Sequence, residues 1–179
     1  MSWNVDTNHS QISFTAKHMG IFTVRGQFEK FGINLDYDET NPENSSVSVK
    51  IDAASLKTNN EQRDGDLKSP DFLNVAEYPY LTFESTRVEK LTATTGKLYG
   101  DLTIRDVTHP VVLDAEFVGQ AKSPWGTTSS GFFANTKIDR TQWGLTFNQV
   151  LETGGLLISN EIGIHVELEA IKQAEAVPA

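Results

Sequence analysis

The stretch Ile162-Gly163-Ile164-His165-Val166-Glu167-Leu168-Glu169-Ala170 sets an apolar side chain at every second position, with glycine or a polar residue between. Side chains of a strand alternate between its two faces, so this segment has one apolar face and one wet face. It reads as a half-buried antiparallel strand. The same period of two recurs upstream in Ile12 and Phe14, in Val24 and Phe28, in Phe31, Ile33 and Leu35, in Val47, Val49 and Ile51, and in Leu81 and Phe83. It continues in Leu98, Leu102 and Ile104, in Val111, Leu113, Ala115 and Phe117, and in Phe132, Ala134 and Ile138. About eight strands are predicted.

Turn chemistry separates them: Asp38 to Ser46 is rich in Asp, Asn, Thr and Pro, Thr92 to Gly96 is small and polar, and Ser123 to Gly126 holds Pro124. Gly32 sits where the parity between Phe28 and Phe31 is broken, which predicts a bend in a long strand. One segment reads as helical. Thr58 with Glu61, or Asn59 with Gln62, offers a capping box, and Ser69 and Pro70 close the segment. On it Asn60, Arg63, Asp64 and Leu67 share a face that is expected to lie against the sheet, across a mouth. Leu145 to Ser159 is less regular and long enough for a functional loop. Eight such strands close into a barrel or stack as a sandwich, and periodicity does not choose between the two.

The 179 residues are enough for one domain with its own core, expected over 1–172 with a frayed tail at 173–179. Fifteen Lys plus Arg against 24 Asp plus Glu give a net charge of −9, and no basic run is present to line a phosphate backbone. Nucleic acid and anionic membrane surfaces are therefore poor partners. With no Cys there is no disulfide, thiolate metal site or cysteine nucleophile. The first residues lack a basic segment followed by an apolar stretch, so the chain as written is expected in the cytoplasm, or in the periplasm if a leader has been removed. The longest apolar run, Gly154 to Ile158, is far too short to span a bilayer.

Motifs for catalysis are missing. His9, His18, His109 and His165 show no ligand-like spacing, no serine stands in Gly-x-Ser-x-Gly, and no phosphate-cradling or dinucleotide fingerprint occurs. Neither a metal nor a cofactor is expected. Arg63 and Asp64 are neighbours able to serve different partners, one a polar head group and one the packing of the helix. Phe14, Phe28, Phe83, Phe117 and Phe132 lie on the apolar parity and suit a packed core as well as a cavity. Gly26, Gly100, Ala115 and Ala134 on the same parity leave room for something to enter.

Taken together, the residues are similar to those of the YceI-like family of lipocalin-like barrels. Trp3, Val5, Asp6, His9, Ser10, Ile12 and Phe14 resemble its first motif, followed by Lys17, His18, Val24, Arg25, Gly26 and Phe28. Arg63, Asp64, Leu67, Ser69, Pro70, Asp71 and Phe72, then Tyr78, Pro79 and Phe83, form the most specific stretch. Gly100 to Pro110 and Gly131 to Gly144 follow in order. Leu67, Leu73 and Asn160 depart from the pattern.

The resemblance implies an all-β, eight-stranded antiparallel barrel with one short helix at the mouth, usually a homodimer, without enzymatic activity. Its ligand would be a noncovalent polyisoprenoid or isoprenoid-quinone lipid, bound for carriage, storage or sensing. Each methylene buried is worth about 0.8 kcal/mol. Lumen candidates by parity are Ile12, Phe14, Val24, Phe28, Phe83, Leu102, Phe117, Phe132 and Val166, with Leu67, Phe72 and Trp143 near the ends. Head-group candidates are His18, Arg63, Asp64 and Arg140. Two readings stand beside it: an enzyme on such a lipid, with Asp64 or His18 as acid or base, and a packed barrel with a structural or interaction role.

Overall fold

The computed structural model describes residues 2–149, 151–152 and 157–172. The expected tail at 173–179 and part of the irregular stretch after Leu145 lie outside the described residues. Along the chain the strands are β1 (Ser2–Val5), β2 (Gln11–His18), β3 (Phe22–Phe28), β4 (Phe31–Asp36), β5 (Ser46–Asp52) and β6 (Leu56–Lys57). The helix α1 (Glu61–Lys68) precedes β7 (Tyr80–Lys90), β8 (Thr95–Ile104), β9 (Val107–Lys122), β10 (Thr128–Asp139) and β11 (Glu161–Lys172).

Antiparallel pairing runs β1–β4–β5–β7–β8–β9–β10–β11 and returns from β11 to β1, so eight strands close a ring. The remaining three prolong members of that ring. β2 follows β1 along the edge of β11, β3 leads into β4, and β5 leads into β6, which pairs with β3. This decides the alternative left open by periodicity in favour of a barrel.

The bend predicted at Gly32 lies two to three residues earlier, at Glu29 and Lys30. Both backbone N–H groups there are taken by Ser55, one by its carbonyl at 3.2 Å and one by its Oγ at 3.0 Å. Ser55 belongs to a 3-10 turn between β5 and β6 that Asp52 caps by accepting from Ala54 N–H. Two neighbouring strands thus turn the same corner together, while Gly32 pairs regularly with Lys50 inside β4. A second irregularity lies between Ser85 and Arg87 of β7. The extra residue, Thr86, shifts parity, so Leu81 and Phe83 are followed on the inner face by Val88.

The barrel has two unlike ends. At one lie the 37–45 connection and the turns at 91–94 and 123–127. At the other lie α1, the β8–β9 turn and the segment after β10. Trp143, Phe72 and Leu145 are buried at this second end, and Leu67 packs on the same core from α1. The helix is capped by Asn60, whose side chain accepts Arg63 N–H at 3.0 Å, rather than by Thr58 or Asn59. No helix among the described residues is long and apolar enough to cross a membrane.

Candidate ligand cavity

Inward-facing residues of the barrel leave a cavity of about 290 Å³, bounded almost wholly by apolar atoms. Its loop-borne lining, Tyr37, Pro42, Ser45 and Thr92 to Thr94, belongs entirely to the end away from α1. Burial deepens in the other direction: Leu81, Phe83, Leu102 and Ile104 are buried, whereas Val47, Leu98, Ala115 and Ala134 are partly open. The cavity therefore opens beside the 91–94 turn and ends blind beneath Trp143.

Of the lumen candidates, Ile12, Phe14, Phe28, Phe83, Leu102, Phe117, Phe132 and Val166 line this space. Val24 does not; it pairs with Ala16 towards the far tip of the β2–β3 hairpin. Two of the small residues carry out a different task from the one expected. A Cβ at Gly26 would stand 2.3 Å from the Phe14 ring, and one at Gly100 would stand 2.3 Å from the Phe83 ring. Both rings lie over a glycine, so the room at Gly26 and Gly100 is filled by the protein itself. Ala115 and Ala134 border the cavity directly.

The aromatic set at the opening is joined by Tyr37, which meets Phe132 edge-on at 4.9 Å and stacks on Phe117 at 6.5 Å. Burial, and then the carboxylates of Glu39 and Asp38, push its phenol above the ordinary range. It stays a neutral donor. Extending the alternation of Ile33 and Leu35 by one step would have found it, whereas Val88 was hidden by the bulge and Thr92 to Thr95 by belonging to a turn. Lys90 is the cation of this rim, with the Thr92 and Thr94 hydroxyls nearby in the lining.

The residues expected at the mouth lie elsewhere. The helix sits at the closed end, opposite the opening, because its one apolar contact, Leu67, packs on the core beneath it. There Arg63 and Asp64 converge on the buried Thr58: Arg63 Nε donates to its Oγ1 at 2.8 Å and Nη2 to its carbonyl at 2.7 Å, while Asp64 accepts its N–H at 2.8 Å and its hydroxyl. Trp143 is buried with its indole N–H on Leu102 O at 2.9 Å, and Phe72 meets Phe147 edge-on at 5.4 Å. His18 is bridged to Ile158 at the same end. Arg140 is buried and donates to Ser159 O, Leu145 O and Phe147 O at 3.0, 2.6 and 2.9 Å. Burial presses its pKa downward, against the attraction of Asp139. None of these side chains lines the cavity.

Among the described residues one group brings metal-type ligands together: Asp6, His9 and Glu169, with ligand atoms within 4.8 Å of one another. It lies on the outside of the barrel, at the joint between β1 and β2, where His9 Nδ1 is 2.7 Å from Asp6 Oδ2 and 3.3 Å from Glu169 Oε2. The Asp6 hydrogen bond holds the imidazole pKa up, and the same bond holds the Asp6 carboxyl down.

A fold and cavity of this kind have known counterparts. Protein YceI of Escherichia coli is 37% identical over 165 residues, 92% of this chain and 83% of that protein. The Campylobacter jejuni YceI crystal structure superposes with a TM-score of 0.78 at 34% identity, covering 88% of this chain and 90% of its own. A polyisoprenoid-binding domain from Saccharophagus degradans shares the fold at a TM-score of 0.64 and 14% identity, covering 94% and 97% of the two chains. With the YceI-like domain matching residues 3–170, nearly the whole of the described barrel, the chain belongs to the YceI-like family.

Proposed function

We propose that the chain binds a long-chain isoprenoid lipid, a polyprenyl phosphate or an isoprenoid quinone, as a non-catalytic carrier or store. The observation that carries this reading is the blind, apolar-lined cavity of about 290 Å³ with a single polar rim. A prenyl tail entering it leaves water for hydrocarbon and aromatic walls, at about 0.8 kcal/mol per methylene. The head group stays at the rim, where Lys90 and the threonine hydroxyls of the 92–95 turn supply a cation and donors. Support for the ligand class comes from the Saccharophagus domain of the same fold. The acid/base candidates of the enzyme reading, Asp64 and His18, do not reach this space.

The test is native mass spectrometry of the purified chain, then organic extraction and mass analysis of what is released. A stoichiometric prenyl or quinone mass is expected, lost in Ala134→Trp, which fills the cavity. A chain that arrives empty and refuses added prenyl lipids would overturn the proposal and leave the packed barrel.

A further inference from the structure

We propose that the open end of the barrel docks on a zwitterionic phospholipid surface through Trp125 and Leu91. This rests on the lipid-binding reading for its purpose. Trp125 is 88% exposed and Leu91 51%, whereas the two other tryptophans, Trp3 and Trp143, are 3% and 2% exposed. Both exposed residues sit at tips of turns on the end where the cavity opens.

Neither tip is loose. Ser123 N–H donates to Thr127 O at 2.8 Å, Thr127 N–H to Ser123 Oγ at 3.1 Å, and Gly126 takes a positive φ of 86° to close the turn around Trp125. Leu91 N–H donates to Thr95 O at 3.0 Å. The β9–β10 hairpin also overreaches its neighbour. Phe117 N–H still meets Thr94 O at 2.7 Å, level with the β7–β8 turn, yet β9 continues to Lys122. Val118 is the extra residue of a bulge there, and the four further pairs, from Gly131–Gly119 to Thr128–Lys122, at about 3.4 Å each put the end of the hairpin strands roughly 14 Å beyond that level, with Trp125 in the turn that follows. An indole held at the tip of a rigid, overhanging hairpin beside an apolar opening has the placement of an interfacial anchor, with its ring in the acyl boundary and its N–H among head groups.

Charge selects the kind of surface. The chain carries −9 overall, and Asp38, Glu39 and Glu43 stand on the 37–45 connection at the same end. Lys172 and Gln120 already occupy Glu39. Lys90 and Lys122, which flank the two anchors, only balance Asp38 and Glu43, so the rim offers no net attraction to an anionic bilayer while the −9 of the whole chain is repelled by one; a zwitterionic surface carries no such penalty.

The experiment is a titration of the full chain with phosphatidylcholine vesicles, read by tryptophan fluorescence and by flotation. Because Trp3 and Trp143 are already buried, a vesicle-dependent blue shift and protection from acrylamide report on Trp125. A saturable shift is expected, with flotation falling about tenfold in Trp125→Ser and again in Trp125→Ser/Leu91→Ser, and retained in Trp125→Phe. Phosphatidylglycerol in the vesicles should weaken binding, and added salt should restore it. Ile21→Ser/Phe22→Ser, which strips the exposed apolar tip of the opposite end, should leave flotation unchanged.

Absence of shift and flotation would overturn docking, as would loss of flotation in the Ile21/Phe22 variant alone. A blue shift that grows with protein concentration in the absence of vesicles would also overturn it, since a second copy then covers Trp125. Extraction keeps the two readings apart: a chain that carries prenyl lipid but does not float retains the carrier function without this docking face. A chain that floats but never holds lipid retains the docking face and loses the carrier function.

Discussion

Arg140 shows how much one side chain can do outside the cavity lining. Its guanidinium is buried on three carbonyl oxygens of the segment that follows β10, and it holds that segment over the blind end of the cavity. Removing it strands those acceptors in the interior, where each unsatisfied group costs on the order of 1–3 kcal/mol. Arg140→Ala is predicted to destabilise the fold by roughly 3 kcal/mol or more, read as a fall in the urea midpoint at constant m-value. Arg140→Lys should recover only part of this, because an ammonium lacks the planar fork that spans three carbonyls. The sequence shows a cation after a strand and a tryptophan three residues on. Nothing in that spacing says that the carbonyls of Leu145, Phe147 and Ser159 converge on it, and so a head-group role is the natural expectation.

The strands were legible because each has one buried face, and burial forces alternation. Their interruptions were not, because a corner is made by partners rather than by the residues at the bend. Glu29 and Lys30 carry no turn signal of their own; it is Ser55, 25 and 26 residues away, that takes their N–H groups. Gly26 illustrates the same limit on β3. Its smallness was visible, but the ring of Phe14 that occupies the space comes from the neighbouring strand. Gly26→Ala is predicted to push that ring into the lumen, costing about 1–3 kcal/mol and lowering lipid capacity. Phe14→Leu in the same chain should recover much of both, and a double-mutant cycle by denaturation and lipid extraction measures the coupling.

At the scale of the whole molecule, closure depends on β1, which is bound by β4 on one side and β11 on the other. The Asp6–His9–Glu169 cluster stands at this seam, beside the bond from Asp6 N–H to Glu169 O at 2.8 Å. Its pH dependence has two limbs. His9 has a raised pKa, so its contribution is full below the ordinary value of 6.5 and is lost as pH rises through the raised one. Asp6 has a lowered pKa, so its contribution is full above 3.8 and is lost as pH falls through the lowered one. The seam is thus predicted to be tightest between about pH 4 and 6.5. A titration of the His9 ring by NMR should place its midpoint above that of an unpaired histidine, and Asp6→Asn should bring it back down. Nine alternating segments, those of β2 to β5 and β7 to β11, are readable in the sequence, yet the ring is not, because β1 is only four residues long and shows no alternation to announce its two partners.

The same seam sets an order of events during synthesis. Asn4 pairs with Ile171, so β1, made before every other strand of the barrel, must wait for β11, made after all of them. Until residues 161–172 emerge, β10 has one unpaired edge and the wall from β2 to β3 has no neighbour on its other side. The nascent sheet can curl but not close, and its bare edges are open to wrong partners for the whole of that interval. Emergence of residues 161–172, rather than the growth of any earlier strand, is the moment at which a lumen can first exist.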